Sequence, residues 1–219
     1  MKRGSWSAGE IARPSALSVS PRAVSLPRKQ LRAFPAAGVS ASEALRNIRA
    51  DRNVRITGRR VGMDITWVTD RIAVGGGIWN ADNMAAIARA GITHIIDMQI
   101  EFDDTPLAEK FGVVVCWNPV DDDFKSKPPE VFERGVEFAL AALEVDGAKL
   151  FIHCAAGVHR APMMALALLA VRGSTVEDAV DLIERLRPVA DFADVYVRSV
   201  EEFLKWRGSV RAEDREKSL

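Results

Sequence analysis

With 219 residues and 48% apolar content, the chain can bury a core of one or two domains. Thirty basic and thirty acidic side chains cancel overall, but residues 1–62 carry thirteen positive against three negative charges, so a basic extension precedes an acidic remainder. That acidic balance argues against nucleic acid as the domain's main ligand, two cysteines exclude a disulfide framework, and the longest apolar run, Ala161 to Val171, is short of the roughly 20 residues a bilayer span needs.

Residues 1–62 mix Ser, Ala, Arg and Pro without helical or strand period and are expected to form a disordered extension. The absence of a secretory signal and the scarcity of cysteine point to the cytoplasm; an organelle is the alternative, because Arg and Ser with so few acids also fit a transit peptide. From Ile65 onward, strand and helix signals alternate. "ITWV" and "RIAVGG" read as strands, Asn80 to Ala90 as a helix and "ITHIIDM" as a strand. A short helix near Pro106 to Phe111 then leads into "VVVCWNPV". Phe132, Val136, Ala139, Leu140 and Leu143 share one helical face that ends near Asp146-Gly147, and "KLFIHC" is the strand after it. Three helices close the chain, over 161–171, over 175–187 behind a Ser174-x-x-Glu177 capping box, and over about 192–206. Strands alternating with helices predict an α/β fold, with a central mainly parallel sheet of about five strands flanked by about six helices. The domain is expected over 63–208 and a charged tail over 209–219.

The turn "FIHCAAGVHRAP" leaves the last strand where α/β sheets place their ligand crevice. Ala155, Ala156 and Gly157 leave the backbone unobstructed, so the N–H groups of residues 155–160, including Val158 and His159, can form an anion nest. The helix after it adds its positive end, and Pro162 suits its first turn. Arg160 supplies a planar fork that can hold two oxygens of a phosphoryl group, and these positive surroundings favour the thiolate of Cys154. Cys154 is then a nucleophile beneath a bound phosphate.

His153, Cys154, Gly157 and Arg160 form H-C-x-x-G-x-x-R, which resembles the signature of the protein tyrosine phosphatase superfamily. From about Asp64 to Trp206 the wider likeness is to its compact dual-specificity branch. The resemblance implies a cysteine phosphatase that forms a phosphocysteine and needs no metal or other cofactor. His153 is expected to support the loop and thiolate rather than act as a base, and His159 to face either the mouth or solvent.

Expelling an alkoxide or phenoxide requires a proton, and Asp121, Asp122 and Asp123 follow the strand that borders the same crevice. The family's spacing selects Asp122, 32 residues before Cys154 and ten before Phe132. Three consecutive carboxylates lack the spacing of a Ca²⁺ loop, and three His with two Cys form no evident zinc set. Many members of the superfamily place Ser or Thr after the signature Arg; here Ala161 stands there, which should slow cleavage of the phosphocysteine.

The expected partner is a phosphorylated protein, carrying phosphotyrosine or phosphoserine and threonine. Arg-Ala-Pro also resembles the loop of plant glucan phosphatases, which makes phosphoglucan the alternative, with Trp67, Trp79 and Trp117 able to stack on sugar or simply to pack. A phosphate-binding adaptor with little turnover is a further alternative, and sulfur or arsenate chemistry ranks below it. No Lys stands in the loop, which disfavours highly phosphorylated inositides. "VGGG" reads as a tight turn, and His94 and Cys116 as packed strand residues. No membrane partner is expected, and the sequence does not set an oligomeric state.

Overall fold

The computed structural model describes residues 62–216, so the extension expected over 1–62 lies, except for Gly62, outside the described residues. Five strands form one sheet: β1 (Ile65–Trp67), β2 (Ile72–Gly75), β3 (His94–Asp97), β4 (Val114–Trp117) and β5 (Leu150–His153), in the order β1-β2-β5-β3-β4. β1 runs antiparallel to β2, and every other pair is parallel. The register aligns Gly75, His153 and Asp97 across β2, β5 and β3, with Trp117 beside Asp97 on β4, so four strands finish along a common carboxyl edge.

Among the described residues, six helices cover the sheet: α1 (Ala81–Arg89), α2 (Thr105–Ala108, continued by a 3-10 turn over Glu109–Phe111), α3 (Pro129–Leu143), α4 (Arg160–Val171), α5 (Val176–Leu186) and α6 (Asp194–Glu216). Side chains alternate across a strand, and β5 separates the two cores accordingly. Leu150 and Ile152 join a cluster with α3 to α6, whereas Phe151 joins Ala73, Ile78, Met84, Ile87 and Ile95 beneath α1 and α2. Both faces are therefore covered, which explains why all four residues of this central parallel strand are buried. α4 packs among α3, α5 and α6, and all ten residues from Arg160 to Leu169 are buried, as an apolar circumference requires. Phe132 of α3 and Phe203 of α6 stack at 5.3 Å, each burial contributing roughly 1.5–3 kcal/mol.

Three expectations need correction. The N-cap of α5 is Thr175, whose hydroxyl accepts from the Asp178 N–H at 3.0 Å; Ser174 precedes the cap, so the expected box is displaced by one residue. α6 continues to Glu216, through most of the segment expected as a charged tail, after Arg207 has paired with Glu133 and Glu137 of α3. Residues 76–79 are not a tight turn but an extended run, in which the Gly77 N–H donates to the Ala155 carbonyl at 3.1 Å.

No helix among the described residues is long and apolar enough to cross a membrane.

Candidate active site

The site is built on the loop that joins the central strand to the most buried helix. Cys154 follows β5 directly, is 1% exposed, and its Sγ accepts the Gly157 N–H at 3.2 Å. Two braces fix the loop from behind. One is the bond from Gly77 to Ala155. The other is Arg187, just beyond α5, whose Nε donates to the Gly157 carbonyl at 2.7 Å while its fork pairs with Asp64 and donates to Thr66. Gly157 has φ +65°, and a Cβ there would stand 2.4 Å from Arg187 Nη2 and 2.5 Å from the Gly75 carbonyl. Only glycine satisfies both the dihedral and the space.

α4 begins at Arg160 with no side-chain cap, which leaves its leading N–H groups free for an anion. Arg160 itself is 3% exposed. Its Nη1 donates to Val120 O at 3.0 Å and to Glu101 Oε2 at 2.9 Å, and its Nη2 donates to Glu101 Oε1 at 2.8 Å. Glu101 thus occupies one edge of the fork expected to face phosphate, and the pairing holds the Glu101 carboxyl below its ordinary range. The other edge stays open, because the buried Nε has no hydrogen-bond partner. That edge can still meet a phosphoryl group with two N–H donors.

The three consecutive acids diverge. Asp121 is exposed. Asp123 pairs with Lys127 and with Lys125, which hold its carboxyl far below the usual range. Asp122 alone turns to the signature loop: its Oδ2 lies 3.1 Å from His159 Nδ1 and 3.7 Å from Arg160 Nε, and its Oδ1 accepts from the Tyr196 hydroxyl at 2.9 Å. Phe124 follows at φ +53°, an unusual backbone conformation for a bulky residue, and lays its ring beside Tyr196 and His159. Strain of this kind persists where surrounding contacts over-determine it.

Beneath Cys154 lies a buried polar group that the sequence reading did not connect. His153 Nε2 is 2.9 Å from Asp104 Oδ2 and 3.7 Å from Asp97 Oδ1, and all three residues are fully buried. Their donor atoms lie within 4.8 Å of one another, yet both Asp97 oxygens already accept backbone N–H groups, from Gln99 and Asp104. The backbone thus engages the Asp97 carboxylate, whereas Asp104 lies against His153 with no hydrogen bond to either of its oxygens or to the imidazole nitrogens.

Burial raises the Asp97 pKa to about 6, against the opposing pull of His153. A carboxyl raised in the fold contributes stability fully below its unfolded value of 3.8 and loses it as pH climbs through about 6. Relative to Asp97→Asn, the wild-type protein is expected to lose about 3 kcal/mol between pH 4 and pH 7, a figure that follows from roughly two pH units. Urea unfolding of both proteins at several pH values measures this, and a pH-independent difference would refute it.

Other expected residues have structural positions. His94 touches Phe138 edge-on at 5.8 Å, and burial lowers its pKa. Cys116 sits on β4, two strands away from β5, or about 10 Å. It therefore cannot bridge to Cys154 without backbone movement, and burial raises its thiol pKa to about 11. Trp67 pairs with Ala73, away from the carboxyl edge, and lies under Lys149. Trp117 ends β4 and donates from its indole to Gln99 O. Trp79 is 51% exposed, on the run beside Ala155.

Glu101, Asp104, Tyr196 and Arg187 are the site residues that sequence reasoning missed. Glu101 and Asp104 did carry a signal, since both follow a parallel strand at its carboxyl end, where α/β sites assemble. Tyr196 and Arg187 carried none beyond Tyr196 being the chain's single tyrosine.

Known proteins resemble this chain in sequence and in fold. Human protein tyrosine phosphatase type IVA 3 is 32% identical over 103 residues, covering 46% of this chain and 58% of the relative, and the mouse protein matches to the same extent. The match thus spans little more than half of those relatives' length. Among solved structures, PTPMT1 superposes with a TM-score of 0.59 at 20% identity, covering 68% of this chain and 99% of that one. DUSP15 superposes with a TM-score of 0.56 at 24% identity, covering 65% and 88%. These structures share the fold. Residues 78–205, more than half of the chain, match the family described as dual specificity phosphatase, catalytic domain. The chain therefore belongs to the dual-specificity phosphatase family.

Proposed function

We propose that the domain hydrolyses phosphomonoesters on proteins through a phosphocysteine and without a metal. The observation that carries this reading is the meeting of the Cys154 loop, Arg160 and Asp122 at the N-terminal end of α4, with Arg160 and Asp122 3.7 Å apart. In the first step the Cys154 thiolate forms the S–P bond, the P–O bond to the leaving group breaks with its electron pair on oxygen, and Asp122 supplies the proton. The open edge of Arg160 and the backbone N–H groups of residues 155–160 neutralise the transferring oxygens. In the second step water attacks phosphorus, sulfur leaves as thiolate, and Asp122 takes the proton from water.

Phosphotyrosine is the leading substrate class. Phe124, 53% exposed and adjacent in sequence to the acid's loop, offers a ring to an aryl leaving group. Ala161 is fully buried where a hydroxyl would otherwise assist the departing thiolate, so the second step is slow.

Rapid mixing with 4-nitrophenyl phosphate in a metal chelator is expected to give a burst approaching one nitrophenolate per protein, followed by slower turnover. Asp122→Ala should reduce the burst rate about 100-fold. A linear time course would reject the slow second step, while absence of release by folded protein would favour phosphate capture without turnover.

A further inference from the structure

The two oxygens of Asp122 have different surroundings. Tyr196 donates to Oδ1 and in turn accepts the Phe124 N–H at 3.0 Å, so both of its hydrogen-bonding roles are filled. Burial raises the Tyr196 pKa to about 12, and the neighbouring Asp122 carboxylate pushes in the same direction. It therefore keeps its proton. Oδ2 faces Arg160 Nε, which does not release its proton, and His159 Nδ1 at 3.1 Å. Of the two groups on that oxygen, the imidazole is the one whose ring nitrogen can both give and take a proton.

The other ring nitrogen of His159, Nε2, lies 3.3 Å from Asp191 Oδ2, in the loop before α6. The charged and titratable groups around the ring are Asp122, Asp191, Arg160 and Tyr196, and Phe124 covers it edge-on at a centroid distance of 5.0 Å. A neutral imidazole has one N–H and cannot donate to two carboxylates. Two forms satisfy the geometry. Either an imidazolium lies between two carboxylates, or a neutral ring donates from Nε2 to Asp191 and accepts at Nδ1 from protonated Asp122. Both forms hold the same number of protons and differ by one shift across 3.1 Å.

We propose that His159 is the positioning residue that stores the leaving-group proton for Asp122, with Asp191 fixing the ring. When the ester oxygen departs with its electron pair, the Asp122 Oδ2 proton passes to it. That proton originates from Nδ1, so the imidazole ends neutral and Asp122 ionised. When water attacks the phosphocysteine, its proton returns through Oδ2 to Nδ1 and the imidazolium is restored. This inference rests on Asp122 acting as the acid.

The test compares phenyl phosphate, a poor leaving group, with 4-nitrophenyl phosphate, a better one, from pH 5 to 8 on the full chain. The readout is the ratio of their kcat/KM values. Asp122→Asn should collapse the ratio. His159→Asn is expected to lower it about ten-fold, with a smaller effect from Asp191→Asn. In the Asp122→Asn background, His159→Asn should lower the ratio no further. If Asp122→Asn leaves the ratio intact, the general-acid reading fails and this inference with it. If Asp122→Asn lowers the ratio but His159→Asn does not, or lowers it equally without Asp122, only the role of His159 is overturned. Loss of vanadate affinity in His159→Asn with an intact ratio would mark a loop-shaping role and also overturn the proposal. Asp191 lies outside the signature loop, so a wild-type ratio in Asp191→Asn decides against the proposal even should His159→Asn not fold.

Discussion

Cys154→Ser is expected to lower phosphate release by at least about 10⁴-fold while the protein still folds and still binds vanadate. The size of the loss follows from the chemistry: a hydroxyl is far less acidic than a thiol, the loop's one imidazole is engaged by Asp122 and Asp191, and removing a nucleophile that acts with its partners disables the whole set. Retained binding follows from the structure. The loop is braced through Ala155, Gly157 and Arg187, none of which depends on sulfur, and a serine oxygen can accept the Gly157 N–H in place of Sγ. Steady-state release and vanadate titration by calorimetry check both halves. Residual activity above about 1% would mean that another group attacks phosphorus.

Arg160→Lys is expected to cost about 10³-fold in kcat/KM although the charge is kept. The guanidinium binds on two edges at once, gripping Glu101 and Val120 O with one while its Nε edge remains open. An ammonium is a point charge with three donors and cannot do both. At a site this buried, the lysine would pair with Glu101 and leave phosphoryl oxygens without their planar partner. Losing one preorganised donor in such sites costs about 10²–10³, and the open Nε edge is lost as one such unit. Kinetics with 4-nitrophenyl phosphate test this; near wild-type turnover would show that charge alone suffices.

Much of this arrangement was legible from sequence because it is local. The eight residues from His153 to Arg160 set a cysteine, a turn and a cation by spacing alone, the 3.6 period locates α3, and apolar runs locate α4 and the strands. Asp122 was reached through family spacing, and of the three acids it is the one that meets the signature loop, while Lys125 and Lys127 hold Asp123 and Asp121 is exposed. Long-range partners were not legible. Glu101 on Arg160, Tyr196 on Asp122 and Asp104 on His153 come together only after β3, β5 and α6 have docked, and no local pattern encodes them. The α5 cap was misplaced because Ser174 and Thr175 are both good caps, and only the turn geometry selects the second.

The Arg187 brace links Asp64, at the start of the domain, to a residue 123 positions later, and through it to Gly157. Contacts of such sequence separation form late, after the entropy of closing the intervening chain has been met. The loop that holds Cys154 thus receives its final support only when both ends of the domain have come together. The proposed activity would then report completed folding, and a nascent or frayed chain would carry the thiol without the braced loop.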